Sequence, residues 1–237
     1  MFLLKFFYPF LFAWFSNYGF NLVFYIKSIL TLDMDLDELM RRLFELYPEG
    51  YTDGSRDPFF VLISTVMSHR TRDDVTYPAA RKLFERFSTP EEMVGADVEE
   101  IEALIKDVGF YRVKAGRIKE ISRILLEEYN GKVPDDMETL LKLPGVGRKT
   151  ANCVLAHAFL KDALAVDTHV HRISNRLGLV ETKAPEETEL ELKKIFPQKY
   201  WKHINLLLVK LGQNICRPIS PRCEVCILND MCPKILL

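Results

Sequence analysis

The chain has 237 residues, 27% of them charged and 48% apolar, with a formal net charge of −1. That length buries a real core in one large domain or two small ones, and the balance is that of a soluble globular protein. Near-zero net charge excludes a uniformly basic coat for nucleic acid, so any basic surface must be local.

In chain order, Phe6 to Ile26 comes first: uncharged, dense in aromatics, and broken by Pro9 and by Ser16-Asn17-Tyr18-Gly19. It is long enough to span a bilayer but lacks a clean small-residue cleavage site. Helical periodicity begins only after Met34. We therefore expect residues 1–33 to stand outside the working protein, with translation starting at Met34. A membrane anchor and an uncleaved signal-like segment are the rival readings.

Leu36, Leu39, Met40, Leu43, Phe44 and Tyr47 then recur at helical spacing. Asp35, Asp37 and Glu38 sit where the helix dipole favours acid, and Pro48-Glu49-Gly50 stops the run. Phe59 to Met67 reads as a largely buried helix, and amphipathic helices are expected at about 73–86, 98–107 and 112–129. Ser88-Thr89-Pro90, Gly95 and Asn130-Gly131 punctuate them. Pro134-Asp135-Asp136 opens another helix that stops at Leu143-Pro144, and the next runs from Gly147 to about Leu160. Helices near 168–177, 186–196 and 200–215 precede a cysteine-rich tail. No segment reads as a strand, so the fold class is all-α.

Between two of these helices lies Leu143-Pro144-Gly145-Val146-Gly147-Arg148-Lys149-Thr150-Ala151. Pro144 stiffens the turn, Gly145 and Gly147 let bare backbone approach another surface, and Val146 points back as an apolar anchor. N–H groups at such a turn, opening a helix, suit a phosphate, with Arg148 beside them. This is a helix–hairpin–helix pattern, a sequence-independent clamp on the DNA backbone. The bland alternative is an ordinary tight connection.

Lys149, in the first turn of the second helix, faces the positive end of the dipole, which is expected to lower its pKa and free the amine for attack. One more phosphate-binding lysine is the competing reading. Asp167, in Ala165-Val166-Asp167-Thr168-His169-Val170-His171-Arg172, is delivered by an apolar lead-in to a helix start. By position alone it is either an N-cap or a functional carboxylate. His169 and His171 are expected to pack and hydrogen-bond, not to catalyse.

Four of the five cysteines close the chain as Cys216-x6-Cys223-x2-Cys226-x5-Cys232. The long helical region before them favours a metal site in a reducing compartment over disulfides. Four thiolates suit either zinc or a [4Fe–4S] cluster. Arg217, Arg222 and Lys234 would make this loop a local basic patch, against the alternative of a solvated turn with incidental charge. Cys153 lies in an apolar run and reads as core.

Together the hairpin run, the Val-Asp-Thr-His-Val-His-Arg run and the cysteine spacing resemble the endonuclease III family of DNA glycosylases, from Met34 to Pro233. The resemblance implies a bifunctional glycosylase and abasic-site lyase that removes oxidised pyrimidines from duplex DNA. It implies that Lys149 attacks the sugar C1′, that Asp167 assists, and that Cys216, Cys223, Cys226 and Cys232 hold a [4Fe–4S] cluster. Two loops, Ser68-His69-Arg70-Thr71 and Gly109-Phe110-Tyr111-Arg112, would open the duplex around a flipped base. Bacterial members carry glutamine where this chain has Arg70. Phe110 would be the apolar wedge, with Lys114 near the DNA backbone.

The resemblance also implies two helical lobes with DNA in the groove between them. One is a helical barrel over 51–161, the other an iron–sulfur domain of 34–50 with 162–237. The expected partner is damaged or abasic double-stranded DNA, bound by a monomer with no obligate protein partner and no membrane. The expected compartment is the cytoplasmic nucleoid, or a nucleus. Two other classes compete. Adenine-excising relatives place a catalytic glutamate where this chain has Thr65, and lack a lysine at the Lys149 position. They also carry a long C-terminal domain, whereas five residues follow Cys232 here. Uracil- or thymine-directed mismatch glycosylases belong to the same broad alternative. A non-catalytic DNA-binding module would leave Lys149 and Asp167 without a role.

Overall fold

The computed structural model describes residues 34–48 and 57–235, and the N-terminal segment on which the start-site and anchor readings rest lies outside them. Helix α1, Leu36–Leu46, is capped by Asp35, whose side chain accepts the Glu38 N–H, and it buries Leu39, Met40 and Leu43. Helix α2, Pro58–Met67, starts on an Asp57 cap with proline at its first position and is apolar on nearly every side. Such a helix must be central. It packs against α3, Asp73–Arg86, and α8, Arg148–His157.

Helices α4 (Pro90–Gly95), α5 (Val98–Leu104) and α6 (Tyr111–Tyr129) wrap the same core. Helix α4 falls where only punctuation was expected. Thr89 and Glu92 form a reciprocal capping box, enough to hold a six-residue helix. Helix α6 ends at Asn130 and Gly131, both left-handed, with the Gly131 N–H returned to the Leu125 carbonyl. Between α6 and the hairpin the chain makes one helical turn, α7 (Met137–Leu140), instead of the expected helix over 134–143. Asp136, not Pro134, is its cap, and the chain must already turn at Leu141-Lys142-Leu143 to enter the hairpin.

After α8 an extended stretch leads to α9, Thr168–Arg176, then α10, Pro185–Ile195, and α11, Trp201–Asn214. Apolar residues from Phe59 to Ala163 make one core. Those from Leu39 to Tyr47 and from Leu164 to Leu228 make a second. The two sequence segments of this second core are joined through Arg42, which donates to both carboxylate oxygens of Asp230 and to the Ile227 carbonyl. Among the described residues there is no strand, and no helix is long and apolar enough to cross a membrane.

Candidate active site

The hairpin is built from its glycines outward. Gly145 takes φ +73°, and a side chain there would run into Arg117. Val146 is buried in the first core, and its N–H closes the turn on the Leu143 carbonyl. Gly147 caps α8 without any side chain to satisfy the helix's first N–H groups. Those donors lie on an exposed turn, with chemistry suited to an anion. Arg148 does not join them. Its guanidinium is turned onto Glu189 of α10, at 2.8 and 3.2 Å.

Lys149 and Asp167 line one cleft, together with Thr65, Ser68, Asp73, Tyr77, Cys153 and Asn205. Asp167 is an N-cap with one carboxylate oxygen to spare. It caps α9 by accepting the His169 and Val170 N–H groups, each at 2.9 Å. Both bonds land on Oδ1, so Oδ2 takes no part in the cap. Asn205 secures the lead-in, donating to the Ala165 carbonyl at 3.1 Å.

The pKa of Lys149 moves opposite to the helix-dipole expectation. Cys153 below it, then Asp167, Asp73 and Tyr77, hold the ammonium above its usual range against the effect of burial. Burial pushes the Cys153 thiol up as well. A thiol so held stays neutral, which leaves the two carboxylates as the real source of charge. Asp73 and Tyr77 lie one turn apart on α3, and no local pattern in the sequence singles them out. Only the packing of α3 and α8 against α2 brings them to the cleft.

The two loops expected to open the duplex stand side by side. Arg70 and Phe110 both adopt left-handed backbone, φ 54° and 58°, and the guanidinium lies 5.5 Å from the ring centre. Phe110 is 62% exposed, unusual for a phenylalanine. Lys114 corrects an expectation. It is not at a DNA-facing surface but 3% exposed, with Nζ bonded to the Met67 and His69 carbonyls and to Thr71 Oγ1. His69 binds Thr150 of α8 at 2.8 Å, tying this loop to the hairpin helix. Burial, then the cations Lys149, Lys114 and Arg117, bring its pKa down to about 4, so the ring is neutral.

Cys216, Cys223, Cys226 and Cys232 carry free thiols and line one apolar cavity, walled by Ile173 of α9, Leu177 just after it and Leu211 of α11. Burial raises the thiol pKa of Cys226 and Cys232, and the neighbouring cysteines add to it. Four converging soft donors fit a group that supplies positive charge. Among the described residues, no three potential ligands are drawn tightly enough to form a single-ion group. Arg176, 6% exposed, holds the loop through the Arg217 and Pro218 carbonyls, and Arg172 through that of Cys216. Arg217 and Arg222 are exposed on the loop. His169 contacts Arg172, and His171 contacts Thr188.

Comparison with known proteins places this geometry. Residues 63–198 match the family model described as HhH-GPD superfamily base excision DNA repair protein. Endonuclease III of Thermotoga maritima is 56% identical over 197 residues, covering 83% of this chain and 92% of that protein. Two solved structures superpose over 85% of this chain and 97% of theirs, each at 36% identity. One is a trapped endonuclease III–DNA covalent intermediate, with TM-score 0.75, and the other a non-covalent endonuclease III–DNA complex, with TM-score 0.76. With its hairpin, its lysine–aspartate cleft and its four-cysteine loop, the chain belongs to the endonuclease III family of base excision DNA repair proteins.

Proposed function

We propose that this protein is a bifunctional DNA glycosylase and abasic-site lyase acting on oxidised pyrimidines in duplex DNA. The observation that carries the reading is the placement of Lys149 and Asp167 in one cleft at the foot of the hairpin helix. The Lys149 amine attacks C1′ of the damaged nucleotide, forming the N–C1′ bond as the glycosidic bond breaks and the base departs. The sugar ring opens to a Schiff base, and loss of a C2′ proton expels the 3′ phosphate by β-elimination. Because Lys149 rests as an ammonium, it must first give up a proton, and Asp167 Oδ2 is the acceptor left unused by the cap. That proton passes on to the departing base, and the carboxylate so restored offsets positive charge developing on the sugar.

The N–H groups of the hairpin, with Gly145, Val146 and Gly147 at the turn, hold a backbone phosphate. Phe110 enters the stack beside the extruded base and Arg70 faces the opposite strand, while Arg217 and Arg222 add local positive charge. Cys216, Cys223, Cys226 and Cys232 ligate a [4Fe–4S] cluster, which gives the loop its fixed shape. The two cores support a division into a barrel lobe, 51–161, and a cluster lobe, 34–50 with 162–237, although Ala163 packs into the first core. The working form is a monomer on DNA in the cytoplasmic nucleoid or nucleus.

The test is strand nicking on duplexes carrying an oxidised pyrimidine, an abasic site, 8-oxoguanine, or a G·T or G·U mismatch, with borohydride added to trap the adduct. Nicking of the first two, with an adduct that Lys149→Gln abolishes, is expected. Activity confined to the mismatches would transfer the chain to the mismatch-directed class.

A further inference from the structure

We propose that Lys114 is a positioning residue: its ammonium caps the end of α2 and locks the two duplex-opening loops into a single rigid element. This rests on the reading of those loops given above. Helix α2 ends at Met67, and the last carbonyls of any helix lack intrahelical partners. A cation is the favoured partner at that end of the dipole. Lys114 reaches across from α6 and spends all three donors there, on the Met67 carbonyl (2.6 Å), the His69 carbonyl (2.6 Å) and Thr71 Oγ1 (3.0 Å).

Thr71 completes the lock. Its hydroxyl also accepts the Gly109 N–H at 3.1 Å, from the residue just before Phe110. The space is tight there, since a side chain on Gly109 would lie 3.2 Å from Thr71 Oγ1 and 3.3 Å from the Arg70 carbonyl. Arg70 and Phe110, the two tips, are both held in backbone that non-glycine residues adopt only when their surroundings impose it. Lys114 lies under one tip and four residues along the helix from the other. A lysine serving only to hold phosphate would stay solvated, because burying an ammonium is costly unless its donors are met. Here they are all met, by the end of α2 and the loop that follows it.

A loose pair of loops should hinder extrusion of a stacked base far more than chemistry at a site that has already lost its base. The experiment uses the full chain with its cluster, comparing excision of an oxidised pyrimidine with nicking of an abasic duplex under single turnover. In Lys114→Met and Thr71→Val, excision is expected to fall about tenfold to a hundredfold while abasic nicking stays within about threefold. Thr71→Ser, which restores the hydroxyl, should recover the ratio. If Lys114→Met does not fold, the Thr71 pair alone decides. An unchanged ratio, or equal loss of both activities, in an otherwise active enzyme overturns the role of Lys114. Inactivity of the wild type on every duplex would instead overturn the glycosylase reading, and this inference with it.

Discussion

Arg148 and Glu189 form an ion pair between the hairpin helix and α10, and the carboxylate is only 3% exposed. Lys193 is its second partner, at 2.7 Å. The pair therefore stitches the first core to the second, and Arg148 is committed to protein. Replacing Arg148 with Met leaves a buried carboxylate with one partner, which should cost about 1–3 kcal/mol of stability. Chemical denaturation measures that. The salt dependence of DNA affinity should be unchanged, whereas loss of a direct phosphate contact would lower the log–log slope by about one unit.

Asp167 combines a cap with a charge, and substitutions separate the two. Asparagine caps a helix as well as aspartate does, so Asp167→Asn should melt like the wild type while releasing base slowly. Asp167→Ala should also lose about 1 kcal/mol of stability.

The pH profile carries the same signature. Asp167 helps to raise the pKa of Lys149, and only the neutral amine attacks. Removing the carboxylate's charge lowers that pKa, so the rising alkaline limb of adduct formation should move to lower pH in Asp167→Asn, even as the maximum rate falls. A limb that stays in place would mean that the other groups around Lys149 set its protonation.

His69 governs a different window. Its folded pKa, about 4, lies below the ordinary 6.5, so the unfolded chain binds the extra proton between those values. The stability its neutral ring confers is full above pH 6.5 and is lost as pH falls toward 4. Thermal melts of the wild type and His69→Asn should converge as the buffer is taken from pH 7 to pH 5.

For the cysteine loop, purified protein should be yellow-brown with iron bound. Cys223→Ser should lose colour and melt earlier, while colourless protein with stoichiometric zinc would point to the other metal that four thiolates suit.

Much of this was written locally in the chain. Pro144 and Gly145 specify a hairpin because the turn needs a left-handed residue at Gly145, and Asp167 before Thr168 reads as a helix start. Thr89-Pro90-Glu91-Glu92 likewise spells out the capping box of α4, although the helix is too short to show a hydrophobic period. What could not be read was side-chain direction. Lys114 sits at a polar position of an amphipathic pattern, and nothing in α6 says that its ammonium is drawn inward by carbonyls from the far end of α2. Arg148 next to Lys149 reads as a phosphate ligand until Glu189, 41 residues away in sequence, is brought beside it. Asp73 and Tyr77 reach the cleft for the same non-local reason.

Helix α9 begins on the cap of Asp167 and carries Arg172 and Arg176, which grip the backbone of the cysteine loop at Cys216, Arg217 and Pro218. Its nine residues span roughly 13 Å. A rigid rod of that length turns a small tilt at one end into a displacement at the other. The carboxylate of Asp167 at one end of the rod is thus tied mechanically to the cysteine loop gripped by Arg172 and Arg176 further along it.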